Sequence, residues 1–329
     1  MEEYGKVHVA VAANHRYVRG LKATLVSMVR ASKAPERLVF HVFSDGLTDE
    51  DQLELKRLVR DEGLLTELIF RAPDMSQITA RFKTYYGTHT AFLRLFLPDL
   101  LPDLDWVLWS DVDTLWFRDP AELWRERDET VSVLWSRDIP STRANLKGWH
   151  RKWDADFDVR RYGCSGVLLM NLRKMRETDF IGRCVAFVDC VHDTPFADQA
   201  VLNQLCNRDS KFVDDRWDLL NPCRNWRDGV VLHFNGLGKL FNDAGFSGWR
   251  PLYEIWFRYY AEVVSRCGGR PDGGRPPKGC PLWKRMAFWL IGFAYLPRTC
   301  FAWLPLSVAR IDNLHRTQYF CWLRKKKLW

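Results

Sequence analysis

The opening third of the chain repeats one pattern, an apolar run followed by apolar residues at helical spacing, and this restricts the fold to an α/β sheet. Residues 7–11 read as a buried strand, and after Asn14 the residues Leu21, Leu25, Met28 and Val29 share one helical face. Residues 38–43 form the next strand. Thr48 and Asp51 then stand at capping-box spacing before a helix that buries Leu55, Leu58 and Val59. Residues 65–70 close a third unit, and an apolar helix over 91–101 leads to a strand at 105–109. Such alternation predicts a doubly wound, largely parallel sheet whose ligands bind beyond the carboxyl ends of its strands. Further strands are expected at 131–135, 166–170 and 230–234, with helices at 173–190, 197–206 and 252–264.

One of those strand ends carries Asp111-Val112-Asp113, inside WVLWSDVDTLWFRDPAELW. Two carboxylates one residue apart can both face a cleft if the chain turns there, and a hard divalent cation takes oxygen ligands of this kind. Alone, an acid-x-acid string is as compatible with a solvated turn. Downstream, VVLHFNGLGKLF sets His233, Gly236 and Lys239 at H-x-x-G-x-x-K spacing after another apolar strand. A histidine can complete a manganese site, a glycine lets backbone approach a diphosphate, and a lysine neutralises phosphate charge. His233 taken singly reads as an ordinary histidine; together with the acidic pair it reads as a ligand.

In this order, the segments VAVAANHRYVRGLKATLVSM, TAFLRLFLPDLLPDLDWVLWSDVDTLWFRDPAELW, YGCSGVLLMNLRKMR, ADQAVLNQL and HFNGLGK resemble glycosyltransferase family 8. The resemblance spans about residues 6 to 245 and implies a GT-A fold, a Rossmann-like mixed sheet, and retaining transfer. It makes Asp111, Asp113 and His233 the ligands of Mn2+ (or Mg2+) bridging the diphosphate of a UDP-sugar. Gly236 and Lys239 would hold the phosphates, and Arg94 would contact the donor. Ala12, Ala13, Asn14 and Tyr17 would line the uridine pocket, Tyr17 beside the base. Asp198 and Gln199 fall near the transferring sugar, and Asp138 is a candidate for acceptor contact. Front-side attack by the acceptor hydroxyl is the implied route to retention; a covalent route would run through Asp198. Three positions depart from the family pattern: Asn14-His15-Arg16 where acidic residues are common, Cys164 where an asparagine is usual, and Ala200 where a second Asp is frequent.

Nine cysteines, an odd number with no C-x-x-C pair, argue for free thiols in a reducing compartment. The start, MEEYGKVHVAVAAN, lacks a basic segment followed by an apolar signal, so a cytoplasmic location is expected. CGGRPDGGRPPKGC, residues 267–280, has the composition of a linker. It divides a catalytic domain over 1–266 from a tail over 281–329 that holds all of the net positive charge. The tail mixes aromatic with basic residues, and its apolar run is shorter than the roughly 20 residues a bilayer span needs. It reads as an interfacial segment attracted to anionic lipid at the inner face of the cell membrane. No nucleic-acid module accompanies it. The expected partners are a nucleotide-sugar donor and a saccharide or glycolipid acceptor such as lipopolysaccharide core.

Two other classes compete. Apolar strand plus Asp-Val-Asp-Thr-Leu also resembles haloacid-dehalogenase phosphatases, with Asp111 as nucleophile, Asp113 as acid, and Ser136 and Asp214-Asp215 as later motifs. That family opens its sheet with the motif, and it leaves His233, Gly236 and Lys239 unexplained. A non-catalytic, lipid-associated nucleotide-sugar-binding protein would accommodate the three departures but has no need of metal ligands.

Overall fold

The protein's computed structural model describes residues 5–63, 65–84, 88–138, 158–191, 197–220 and 231–233. The expected helix at 252–264, the linker at 267–280 and the tail at 281–329 lie outside the described residues. Strand β1 (Val7–Ala13) leads to helix α1 (Val18–Ala31), then β2 (Leu38–Ser44), α2 (Asp49–Gly63) and β3 (Glu67–Arg71). Thr48 and Asp51 exchange backbone-to-side-chain hydrogen bonds at the start of α2, 3.0 and 3.1 Å, as the capping-box spacing predicts. After α3 (Ser76–Arg81) comes a 3-10 segment, Thr90–Phe96, then the short α4 (Leu97–Leu100). The expected single α-helix over 91–101 therefore does not form. Pro98 lacks the N–H that would bond back to Arg94 and its ring crowds that carbonyl, so α geometry cannot run through this point.

Strands β4 (Trp106–Ser110) and β5 (Thr114–Trp116) flank the acidic triplet, followed by α5 (Pro120–Trp124), β6 (Val133–Arg137) and β7 (Gly163–Asn171). The helix expected at 173–190 is two, α6 (Leu172–Glu177) and α7 (Phe180–Val191). Asp179 adopts φ 48° at their junction, a left-handed conformation that an α-helix cannot contain. Helix α8 (Ala197–Cys206) has the expected bounds. The short strands β8 (Ser210–Phe212), β9 (Leu219–Leu220) and β10 (Val231–His233) complete the described chain.

Seven strands form one sheet in the order β3-β2-β1-β4-β7-β6-β8, and β5, β10 and β9 form a second. Within the larger sheet β1 pairs in parallel with β2 and β4, β2 with β3, and β6 with β8. Strand β7, however, is antiparallel to both of its neighbours. The sheet is mixed and parallel-dominated. The chain leaves β1 for β2 on one side while β4 lies on the other, so a crevice opens between the ends of β1 and β4, where ligands of such sheets bind. Because β7 runs backwards, its opening residues Cys164, Ser165 and Gly166 reach the same edge as the carboxyl ends of β1, β4 and β6.

One face of the sheet is covered by a cluster that includes Leu21, Leu25 and Met28 of α1 and Leu55 and Val59 of α2. The other carries Leu97, Met175, Phe180, Val201 and Leu202, from α4, α6, α7 and α8. Helix α1 also holds β5 in place by buried hydroxyls. Thr24 Oγ1 donates to the Thr114 carbonyl at 2.9 Å, and the Trp116 N–H donates to Ser27 Oγ at 2.9 Å. These bonds satisfy backbone groups that would otherwise be buried unpaired. Ser27→Ala strands the Trp116 N–H and is expected to cost about 1 to 3 kcal/mol in urea unfolding. A change of midpoint indistinguishable from zero would show that β5 is held by other contacts.

Candidate active site

Asp111, Asp113 and His233 meet because of strand register. β5 begins one residue after Asp113, and β10 pairs with it antiparallel so that His233 stands opposite Thr114. The turn between β4 and β5 is fixed by a buried hydroxyl pair: Ser110 Oγ and Thr114 Oγ1 lie 2.9 Å apart, and both donate to the Asp111 carbonyl. The Asp111 N–H in turn donates to the Gly166 carbonyl of β7 at 2.8 Å. Asp111 Oδ2 lies 3.7 Å from His233 Nε2, and Asp113 Oδ1 lies 3.3 Å from the same nitrogen. Asp113 and His233 are buried, while Asp111 keeps partial access to solvent.

Arg94 decides which Asp111 oxygen is available. Its Nη2 donates to Oδ1 at 2.6 Å, and Trp109 Nε1 donates to the same oxygen at 3.1 Å, which leaves Oδ2 directed at His233. The guanidinium lies 4.7 Å from the Trp109 ring centre and also donates to the Ala91 and Ser165 carbonyls. Its Nε approaches Asp198 Oδ2 to 3.1 Å, but the N–H points at Ala91, so the contact with Asp198 is electrostatic rather than a hydrogen bond. Burial pushes the Asp198 carboxyl up to about 6, although Arg94 opposes the shift.

Gln199, next on α8, accepts from the Ser165 N–H at 3.0 Å and donates Nε2 to Asp138 Oδ2 at 2.7 Å. Asp138 follows β6, and its own N–H bonds to the Tyr162 carbonyl. Asn203 fastens the helix to β7 by bonding both the N–H and the carbonyl of Gly163. At the other side of the crevice, Ala12 and Ala13 are buried at the end of β1, and Asn14 caps the following 3-10 turn, which Tyr17 ends. Asn14 Nδ2 lies 3.4 Å from Thr88 Oγ1. Gly236 and Lys239 lie outside the described residues.

The three departures have local partners. His15 meets Asp51 of the α2 capping box at 2.7 Å, Ala200 is buried on α8, and Cys164 lies beside Asp218 and His233. Asp218 was not among the residues singled out from sequence, and nothing in DDRWDLL marks it. It sits in the 3-10 turn before β9 and meets His233 Nδ1 at 2.7 Å. Gly166 carries no such mark in the sequence either. A Cβ there would overlap the His233 ring, so only glycine lets the ring lie against β7.

Two carboxylates and an imidazole, with ligand atoms within 4.8 Å of one another, suit a hard or borderline divalent cation. Burial by itself would lower the His233 pKa, but the Asp218 and Asp113 carboxylates outweigh it and raise the value to about 10.

The family model for glycosyl transferase family 8 matches residues 8–243. The chain belongs to this family. Glucoside xylosyltransferase 2 of Mus musculus is 28% identical over 181 residues, 53% of this chain and 39% of that protein, so this chain spans well under half of that relative's length. Probable galacturonosyltransferase-like 3 of Arabidopsis thaliana is 28% identical over 290 residues, covering 79% of this chain and 82% of its own. Among solved structures, the galactosyltransferase LgtC, in complex with donor and acceptor sugar analogs, superposes with a TM-score of 0.68 at 21% identity. That match covers 81% of this chain and 98% of LgtC. The glycosyltransferase GlyE of Streptococcus pneumoniae TIGR4 gives 0.57 at 18% identity, covering 83% of this chain and 66% of its own. Both share the fold. The phosphatase reading falls with the family match, and Asp214 and Asp215 are engaged with Arg216 and Arg137.

A proton on His233 Nε2 competes with the metal, so Mn2+ affinity measured by calorimetry is expected to rise with pH. An affinity that falls as pH rises would contradict a site made of these ligands. Gly166→Ala is expected to abolish Mn2+ binding, because the new methyl displaces the ring; unaltered binding by the variant would contradict the packing described.

Proposed function

We propose that this family 8 member is a retaining hexosyltransferase that moves galactose or glucose from a UDP-sugar to a membrane-associated saccharide. The convergence of Asp111, Asp113 and His233 at the crevice between β1 and β4 carries the reading. The site suits Mn2+, or Mg2+, whose positive charge would stabilise the departing diphosphate as a Lewis acid. Gly236 and Lys239, three and six residues beyond His233, are the residues we assign to the phosphates. Ala12, Ala13, Asn14 and Tyr17, at the opposite lip of the crevice, would receive uridine.

Asp198 and Gln199 are assigned to the sugar. Asp198 is buried and held at 3.1 Å from Arg94 Nε. A carboxylate neutralised in this way is a weak nucleophile, but it can stabilise positive charge as the anomeric bond lengthens. That favours front-side attack by the acceptor hydroxyl over a covalent intermediate on Asp198. Gln199 would place its amide beside the sugar, fixed by Ser165 and Asp138, and Asp138 would lie toward the acceptor.

The acceptor assignment, a lipopolysaccharide core or other glycolipid, draws support from the composition of residues 281–329. No helix among the described residues is long and apolar enough to cross a membrane. The basic, aromatic tail would attach the enzyme to anionic lipid at the inner face of the membrane, with the active site in the cytoplasm.

Titration with a panel of nucleotide sugars, with and without Mn2+, tests the donor. Metal-dependent binding of one UDP-sugar is expected, with its loss in Asp113→Ala. Absence of binding by the folded protein to every UDP-sugar would overturn the uridine assignment. Binding without transfer or hydrolysis would point instead to a binding protein.

A further inference from the structure

His233 has two ring nitrogens, and only Nε2 faces Asp111 and Asp113. Nδ1 faces the other way, toward Asp218 Oδ1 at 2.7 Å. The Asp218 side chain is fully buried, so its charge is not dispersed into water. Its second oxygen accepts the Val167 N–H of β7 at 3.2 Å, and the Cys164 thiol lies within reach of the same carboxylate. Cys164 and Val167 are on one strand, β7, while Asp218 and His233 come from the 3-10 turn before β9 and from β10. Two segments distant in sequence thus join on one carboxylate.

We infer that Asp218 is a positioning residue for the metal site: it holds His233 with the proton on Nδ1, so that the Nε2 lone pair is presented to the cation between Asp111 and Asp113. The inference rests on the metal-site reading above and assigns to it a residue that ligand chemistry alone does not identify. An imidazole free to choose its tautomer would spend part of its time with a proton on Nε2, where it cannot bind metal. A carboxylate at hydrogen-bond distance from Nδ1 removes that freedom. It also makes the ring more electron-rich and raises its strength as a ligand. The cluster of Cys164, Asp218 and His233 does not itself read as a second metal site. His233 Nδ1 and Asp218 Oδ1 are in direct hydrogen-bond contact, without the separation that two ligands of one ion require.

The departure at Cys164 fits this arrangement. A thiol is a weak donor, and here it lies against a carboxylate already engaged by Val167 and His233.

The test compares the full-length chain with Asp218→Asn and Asp218→Ala, measuring Mn2+ affinity by calorimetry and thermal melting without metal. Asparagine keeps an acceptor for Nδ1 but removes the charge, whereas alanine removes both. Asp218→Asn is expected to weaken Mn2+ binding about tenfold, and Asp218→Ala by about a hundredfold, the range known for partners of metal-bound histidines. The graded order, with partial rescue by asparagine, is what a role in packing alone would not produce. Mn2+ affinity within twofold of the parent in folded Asp218→Asn, whatever its melting temperature, would overturn the inference while leaving the metal site standing. A parent chain that binds no Mn2+ would overturn the metal-site reading and the inference together. Binding of a second Mn2+ that disappears in Asp218→Ala would also overturn it, by making Asp218 a ligand.

Discussion

Arg94 is buried where three elements meet, and the arrangement of the site depends on its guanidinium. It binds Asp111 at the end of β4, faces Asp198 on α8, and donates to the Ser165 carbonyl on β7. Without that cation, two carboxylates would share a poorly solvated edge of the sheet, and breaking a buried pair of this kind costs about 3 to 5 kcal/mol. The same contact leaves Asp111 with one oxygen committed to the protein and one to the cleft. A residue that stabilises the fold therefore also orients the Asp111 carboxylate. The 3-10 geometry of Thr90–Phe96 belongs to this arrangement, since Pro98 excludes an α-helix there and Arg94 bonds back to the carbonyl of Ala91.

The direction of β7 has a comparable consequence. A strand parallel to β4 would put Cys164, Ser165 and Gly166 at the far end of the sheet, away from the chemistry. Running antiparallel, β7 supplies the Gly166 carbonyl to Asp111, the Ser165 N–H to Gln199, and a glycine surface for His233. The short second sheet is just as consequential. It is the pairing of β5 with β10 that converts a distance of well over a hundred residues in the chain into contact between His233 and the acidic triplet. Hydroxyls on α1 secure that pairing from behind.

Much of this was legible in the residues. The capping box of Thr48 and Asp51, the bounds of α8, and the strand that delivers Asp111 all follow from local patterns of short range. Asp111, Asp113 and His233 carried a recognisable chemistry, and the structure brings them together. The backward run of β7 left no trace, because a strand buried on both faces has the same apolar sequence whichever way it pairs. A strand of two residues such as β9 is too short for periodicity to reveal, whereas β10 lies inside the strand expected at 230–234. Asp218 escaped notice for another reason: its importance lies in facing His233, a contact across 15 residues that no spacing rule encodes. Gly166 matters only through the His233 ring packed against it, which its sequence neighbours do not reveal.

The arrangement at the crevice between β1 and β4 stands or falls on one divalent cation held by Asp111, Asp113 and His233. Crystals grown with Mn2+ and UDP, recorded at the manganese absorption edge, test it most directly. A single anomalous peak is expected, bonded to both carboxylates and to His233 Nε2, with diphosphate oxygens completing the coordination. A peak bound to other residues, or UDP seated in the crevice with His233 turned away from the metal, would contradict it.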